Sequence, residues 1–318
     1  MDLIYTDKNL LDMGILTDYE LDLEIGSEND FQITTTTENN VIPIGAYFYF
    51  ENTEYGGKVT TLKVDTRATR LYYGGKTFYG MLTDKIICPD SGQDYYTVSG
   101  DANSVIAGLI TLLGLSDLFE ASSDTSGFTL TNYQFDRYID CLSGLSKMLK
   151  TKNAKLQARF LDRKVVLSAV AIADYSSEEF SSDTEGFTIL QDKAPVNHLI
   201  CLGKGDLVAR TVVNLYTDAS GNVSTTQYYT GLDEVSEVYD CPNIESEDEL
   251  TKSGTEKLTE KQAADKIDIT IQNTEKDVGD IVGGQEVITG LKVSDTITKK
   301  IVKISCNGDP KFTYEVGS

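Results

Sequence analysis

His198 is the only histidine in the chain, so any nucleophile–base pair that used an imidazole would have to be assembled around it. A serine, cysteine or aspartate beside that ring would allow acyl transfer, whereas most zinc centres draw on several histidines or cysteines together. His198 lies in Val-Asn-His-Leu-Ile, a strand pattern, and reads as a satisfied structural histidine. Glu178 and Glu179 could supply half of a glycosidase carboxylate pair, but in the polar stretch SSEEFSS they read as solvated loop acids. Cys88, Cys141, Cys201, Cys241 and Cys306 are odd in number, lie 40 to 65 residues apart and form no CxxC pair. That spacing signals neither a disulfide framework nor a zinc knuckle, and the thiols are expected to be free and buried. Gly203-Lys204-Gly205 lacks the following helix that would aim backbone N–H groups at a phosphate, and reads as a turn. No GxSxG, HExxH, Walker A or dinucleotide fingerprint stands in its required context. The two Asp-x-x-Gly stretches, Ser122–Leu130 (SSDTSGFTL) and Ser181–Ile189 (SSDTEGFTI), lack the further oxygens of a calcium loop and read as turns. The expectation is therefore no catalytic residue, no metal ligand and no cofactor.

Charge narrows the partners further. With 50 acidic against 28 basic residues, the chain carries a formal −22, and its lysines occur singly or in pairs such as Lys299–Lys300. Such a surface repels phosphate unless a basic stripe overrides it, and none is visible, so specific nucleic-acid binding is not expected. No apolar run reaches the roughly 18–20 residues of a membrane span, and Val105–Leu115 is broken by Gly108 and Gly114. The N-terminus, MDLIYTDKNLLDMG, has no basic patch before an apolar stretch, so the chain is expected to fold in the host cytoplasm without membrane insertion. At 318 residues and 40% hydrophobic content it can build two or three domains with real cores.

The first hundred residues read as β. Ile44–Phe50 and Lys58–Val64 form strands joined through ENTEYGG, with Gly56 and Gly57 supplying positive φ. Arg70–Tyr73 and Lys76–Leu82 flank Gly74–Gly75, expected at a type I′ turn. Asp101 caps a helix with Val105, Ile106, Leu109, Ile110, Leu112 and Leu113 on its apolar side. A second helix is expected over Phe135–Leu149, capped by Thr131 or Asn132, and then a hairpin, Leu156–Phe160 and Lys164–Ala169, turning at Asp162–Arg163. Strands resume at His198–Leu202, Val208–Tyr216 and Val223–Tyr229. The capping box Ser246-x-x-Glu249 opens a helix to about Lys266, with Leu250, Leu258 and Ala263 inward. The last fifty residues are β, and Gly279, Gly283 and Gly284 are expected at turns or close backbone approaches. Gly74–Ile86 and Gly283–Ile297 echo one another, which permits two related β domains.

Three blocks resemble the siphovirus-type phage tail hub family, that is, baseplate or tail-tip hub proteins. They are Asp277–Leu291 (DVGDIVGGQEVITGL) with Thr296–Ile304 and Tyr314–Gly317; Gly75–Gly80 (GKTFYG) through Pro89 with Gln93–Gly100 (QDYYTVSG); and Val196–Gly203 (VNHLICLG) with Arg210. The resemblance implies a mainly β (α+β) fold of two small β-barrel domains with a helical insert between them. The domains would be 1–100, an N-terminal barrel completed by 190–240; 101–189, the helical insert with its hairpin; 241–266, a helix; and 267–318, a C-terminal barrel. It implies a structural subunit of a phage, prophage or phage-like particle, located in the virion tail. Three copies would form a homotrimeric ring that adapts the tail tube or a distal tail protein to a tip or spike and lets DNA pass through its lumen. Relatives that degrade peptidoglycan do so with a further domain, so that activity is expected of a partner. The rival readings are a carbohydrate-binding tail adhesin, suggested by eighteen tyrosines, and a tail-associated cell-wall hydrolase.

Overall fold

Alternation decides which way the strands face. In Glu20–Ile25, Leu21, Leu23 and Ile25 are buried while Glu20 and Asp22 are exposed, the period-two pattern of a sheet with one wet face. The computed structural model of the chain describes residues 1–176, 187–191, 196–262, 265–272, 275–285, 292–306 and 308–317. They divide into two units, Met1–Phe187 with Asp268–Val316, and Thr188–Ile267 with Gly317.

The first unit is built on an antiparallel sheet. Its strands run in the order Lys311–Val316, Lys292–Ser305, Glu20–Ile25, Asp30–Thr36, Arg70–Thr77, Gly56–Asp65, Tyr47–Tyr49, Leu3–Thr6 and Asp12–Leu16. Lys292–Ser305 pairs directly with Glu20–Ile25, placing Val302 opposite Leu23 and Ile304 opposite Leu21. The N- and C-terminal β segments therefore share one sheet. No sheet among the described residues closes on itself, and the expected pair of barrels is not seen among them.

Glycines sit where backbones crowd. Gly74 and Gly75, expected at a type I′ turn, lie inside strand Arg70–Thr77. A Cβ on Gly75 would fall 2.0 Å from the Lys58 carbonyl oxygen, beside the register shift between Val59 and Thr61. Gly56 and Gly57 are likewise strand residues, and Asn52, at φ +58°, makes the reversal. Gly279 has φ +96°. Gly283 and Gly284 are strand residues of Ile281–Gln285, where Gly283 lets the Ser176 carbonyl oxygen come within 2.8 Å of a built Cβ.

Short polar residues start the helices. Thr77, Asp101 and Asp140 accept from the backbone N–H of Gly80, Asn103 and Ser143 and open helices Phe78–Leu82, Ala102–Leu112 and Cys141–Lys150. The second long helix was expected from Phe135, but Thr129–Gln134 and Ile139–Asp140 are strands and Tyr138 has φ +57°. The apolar repeat spans a strand, a bend and a helix whose start is set by Asp140. Asp162 and Arg163, at φ +47° and +65°, form the expected two-residue turn between Ala154–Leu161 and Lys164–Ala171.

The second unit pairs strands Val223–Ser224, Val212–Thr217, His198–Leu202 and Ser236–Asp240, in that order. Residues His198–Asp240 supply this unit's four strands. Helix Glu247–Gln262 packs Leu250 and Leu258 on Leu199, Cys201, Val213 and Leu215. Gly254 lies between those two leucines, and a Cβ there would sit 2.4 Å from the Cys201 sulfur, so glycine sets how closely helix and sheet approach. Ala263 lies outside the described residues. No helix among them is long and apolar enough to cross a membrane.

Candidate functional site

Lys300 lies on the core face of strand Lys292–Ser305, in phase with Val302 and Ile304, and is fully buried. Its ammonium nitrogen is 2.8 Å from Glu54 Oε1, 3.0 Å from Glu275 Oε1 and 3.8 Å from Asp277 Oδ1. The rings of Tyr55 and Phe312 flank it, with centroids at 5.0 and 5.4 Å. Burial alone would lower the lysine pKa, but the Glu54 carboxylate, with Glu275 beyond it, holds it well above the ordinary lysine value.

The carboxylates are themselves held. Tyr79 donates to Glu54 Oε2 at 2.8 Å while its oxygen accepts from the Ala158 N–H at 3.0 Å, and Tyr55 donates to Glu275. Lys155 donates to Asp277 Oδ2 at 2.9 Å and Asp280 Oδ1 at 2.7 Å. Asp280 also accepts the backbone N–H groups of Ala173 and Asp277. Burial would raise the Asp277 carboxyl, but the Lys155 hydrogen bond and the charges of Lys300 and Lys155 hold it below the usual carboxylate range. Burial pushes the Tyr79 hydroxyl well above its ordinary value, so it stays a donor. The network ties the loop at 52–55, strand Ala154–Leu161, the segment 275–280 and strand Lys292–Ser305 into one body.

Glu54, Glu275 and Asp277 lie close enough together to hold a divalent cation. The Lys300 ammonium already stands among all three at 2.8–3.8 Å. A cation entering there would meet a positive charge that nothing nearby can discharge, so the donor set fits an ammonium rather than a metal.

His198 Nδ1 lies 2.7 Å from Glu234 and 3.0 Å from Ser236 Oγ, Nε2 lies 2.9 Å from Asn214 Oδ1, and the ring stacks on Tyr216. A serine–histidine–acid relay needs the serine and the acid on opposite ring nitrogens. Here both crowd Nδ1 and an amide faces Nε2, so the geometry positions a ring and moves no proton between nucleophile and acid. Burial pushes the thiols of Cys141 and Cys201 up to about 12 and about 11, which keeps both protonated and inert. In the turn at 122–130, both Asp101 oxygens accept hydrogen bonds, Oδ1 from the Asn103 N–H and Oδ2 from Ser126. Its echo at 181–189 lies largely outside the described residues, as do Glu178 and Glu179.

The expected turn glycines sit around this body without forming a site. Gly74 and Gly75 lie in the sheet, Gly279 turns the segment between Asp277 and Asp280, and Gly283 passes close to Ser176. In the sequence Lys299–Lys300 is a small lysine pair, with nothing adjacent in the chain to mark Lys300 as buried. The signal was available: Lys300, Val302 and Ile304 share one face of a strand.

No family model matches the chain, and no curated protein does. Solved structures do. A tail protein from Neisseria meningitidis aligns over 100% of this chain and 97% of its own, with a TM-score of 0.55 and 11% identity. A 43 kDa tail protein of prophage MuSo2 from Shewanella oneidensis aligns over 99% and 98%, with a TM-score of 0.59 and 10% identity. Prophage tail protein gp18 from Listeria monocytogenes aligns over 99% and 94%, with a TM-score of 0.52 and 14% identity. The chain thus has, along its whole length, the fold of phage tail proteins.

Proposed function

We propose that the chain is a structural hub subunit of a phage-type tail, three copies of which close a ring between the tail tube and the tip or spike. The observation that carries this reading is the end-to-end match to tail proteins on both chains, with neither partner leaving a large unmatched domain. Chemistry supports it from the other side. The most elaborate polar cluster among the described residues is a closed set of ion pairs, suited to rigidity rather than turnover. DNA would pass through the ring, and the protein's partners would be its own copies and the tail proteins above and below.

The test is an image of the assembled particle with this subunit labelled, together with its copy number. Three copies per tail, in a ring at the tube–tip junction, are expected. Six copies, one copy or a position along the tail shaft would reject the hub reading.

A further inference from the structure

The loop after strand His198–Leu202 is tied down and yet presents two apolar side chains to water. Gly203 N donates to the Thr211 carbonyl at 2.8 Å, Thr211 N to Lys204 at 3.1 Å, and Ala209 N to Asp206 at 3.0 Å. Arg210 Nε donates to the Gly203 carbonyl at 2.8 Å, and its guanidinium pairs with Asp240. Gly205, at φ +119°, allows the tight closure, since a Cβ there would lie 2.7 Å from the Ala209 carbonyl oxygen. At the tip Leu207 holds φ +50°, a conformation that disfavours a branched side chain. Leu207 is 93% exposed and Val208 104%. A preorganised loop that spends backbone strain to display a Leu-Val knob has the build of a contact element.

A receptor of matching character lies in the first unit. A groove of about 530 Å³ runs beside helix Cys141–Lys150, walled by Ile25, Leu142, Leu156, Ile172, Val278 and Ile297. The charged groups on its floor are internally paired, Lys155 with Asp277 and Asp280, and Glu54 with Lys300. Ser146 and Lys150 are exposed on its rim.

We propose that Leu207 and Val208 of one copy seat in this groove of the next copy, making the head-to-tail contact of the ring. The inference rests on the hub reading above. Three arguments select a second copy as the occupant. Chains of formal charge −22 repel one another except where the touching surfaces are apolar or internally neutralised, and knob and groove are such surfaces. Asp206, exposed beside Leu207, is complementary to Lys150 on the rim. Because knob and groove are different surfaces of the same chain, the contact is heterologous, the kind that propagates into a ring. A two-residue knob covers far less than the roughly 800 Å² per partner of a standard interface, so a single contact is weak and gains strength from ring closure.

The test uses full-length chains carrying Cys88→Ser, which removes the exposed native thiol. One batch carries Val208→Cys and the other Ser146→Cys, and they are mixed at high concentration under mild oxidation. Disulfide-linked heterodimers are expected in at least tenfold excess over either homodimer, and Leu207→Asp on the knob chain should reduce them about tenfold. A chain carrying both cysteines should give a covalent ladder that ends at the closed ring. Absence of heterodimers, or their persistence with Leu207→Asp, overturns the contact. Particle imaging separates the two readings. A labelled ring without cross-links sinks the contact and leaves the hub, while cross-links with no ring in the particle sink the hub and leave the contact.

Discussion

Lys300 shows what a single buried charge demands of its neighbours. Its carbon stem lies in the core, its head meets Glu54 and Glu275, and aromatic rings close the remaining sides. Glu275 is half exposed while Glu54 is buried, so the tighter coupling is to Glu54. Replacing Lys300 by methionine leaves Glu54 buried without a counter-ion and is expected to cost about 3–5 kcal/mol in chemical denaturation. Adding Glu54→Gln should recover part of that loss; a double variant as unstable as the sum of the singles would remove the pairing argument. Asp277 makes the network acid-sensitive. Its folded pKa is depressed, so its contribution is complete above the ordinary carboxylate value of about 4 and is lost as pH falls through the depressed value. The midpoint of denaturation should therefore fall more steeply below about pH 4 in the native chain than in Asp277→Asn. Lys300 runs the other way: with its pKa raised, its contribution is complete at neutral pH and is lost only under strong alkali.

Caps and close approaches decide where elements begin and how near they come. Asp140→Ala removes the acceptor for the Ser143 N–H and should cost about 1 kcal/mol, fraying the start of helix Cys141–Lys150. Amide exchange at Ser143 and Gly144 would report it, and unchanged protection there would rule out the cap. Gly283→Val should cost about 1–3 kcal/mol, because its side chain would run into the Ser176 carbonyl in a packed sheet. An unmoved thermal melt would refute that crowding. Much at this scale was legible in the sequence. Strand-like runs at Lys58–Val64 and His198–Leu202 fall on strands, Asp101 caps a helix, and Asp162–Arg163 makes a two-residue turn. By contrast Lys76–Leu82, expected as a strand, runs into helix Phe78–Leu82, and only Val223–Ser224 of Val223–Tyr229 is strand. What failed were residues whose meaning depends on a distant neighbour. A Gly-Gly pair reads equally as a turn or as a strand under a crossing carbonyl, and only the register of Gly56–Asp65 against Arg70–Thr77 decides. The pairing of Lys292–Ser305 with Glu20–Ile25, which puts the N- and C-terminal β segments in one sheet, joins segments nearly a chain length apart. Alternation marks the buried face of a strand but says nothing about which strand lies beside it.

For the whole molecule, the sign of the charge and its arrangement have to be weighed together. The wet face of the large sheet is mixed, with Asp22 opposite Lys303 at 3.3 Å and Glu20 beside Arg70 at 3.8 Å. The stretch 231–250 carries eight acids and no Lys or Arg, but its charges already have work. Glu237, Asp240 and Glu245 pair with Lys261, Arg210 and Lys204, and Glu234 lies 2.7 Å from His198 Nδ1. Glu247, Asp248 and Glu249 occupy the first turn of helix Glu247–Gln262, where its dipole favours them. Part of the acidity is thus explained by local structure, without a role in DNA passage. What remains is the mean field of a −22 chain, which rewards no phosphate because counterion release requires cations gathered along a track. The free protein should leave the electrophoretic mobility of duplex DNA unchanged even at about 10 mM salt, where screening is weakest and any attraction would reach about 30 Å. A retarded band that disappears as salt is raised would reveal a basic track and contradict a passage that lets DNA slide.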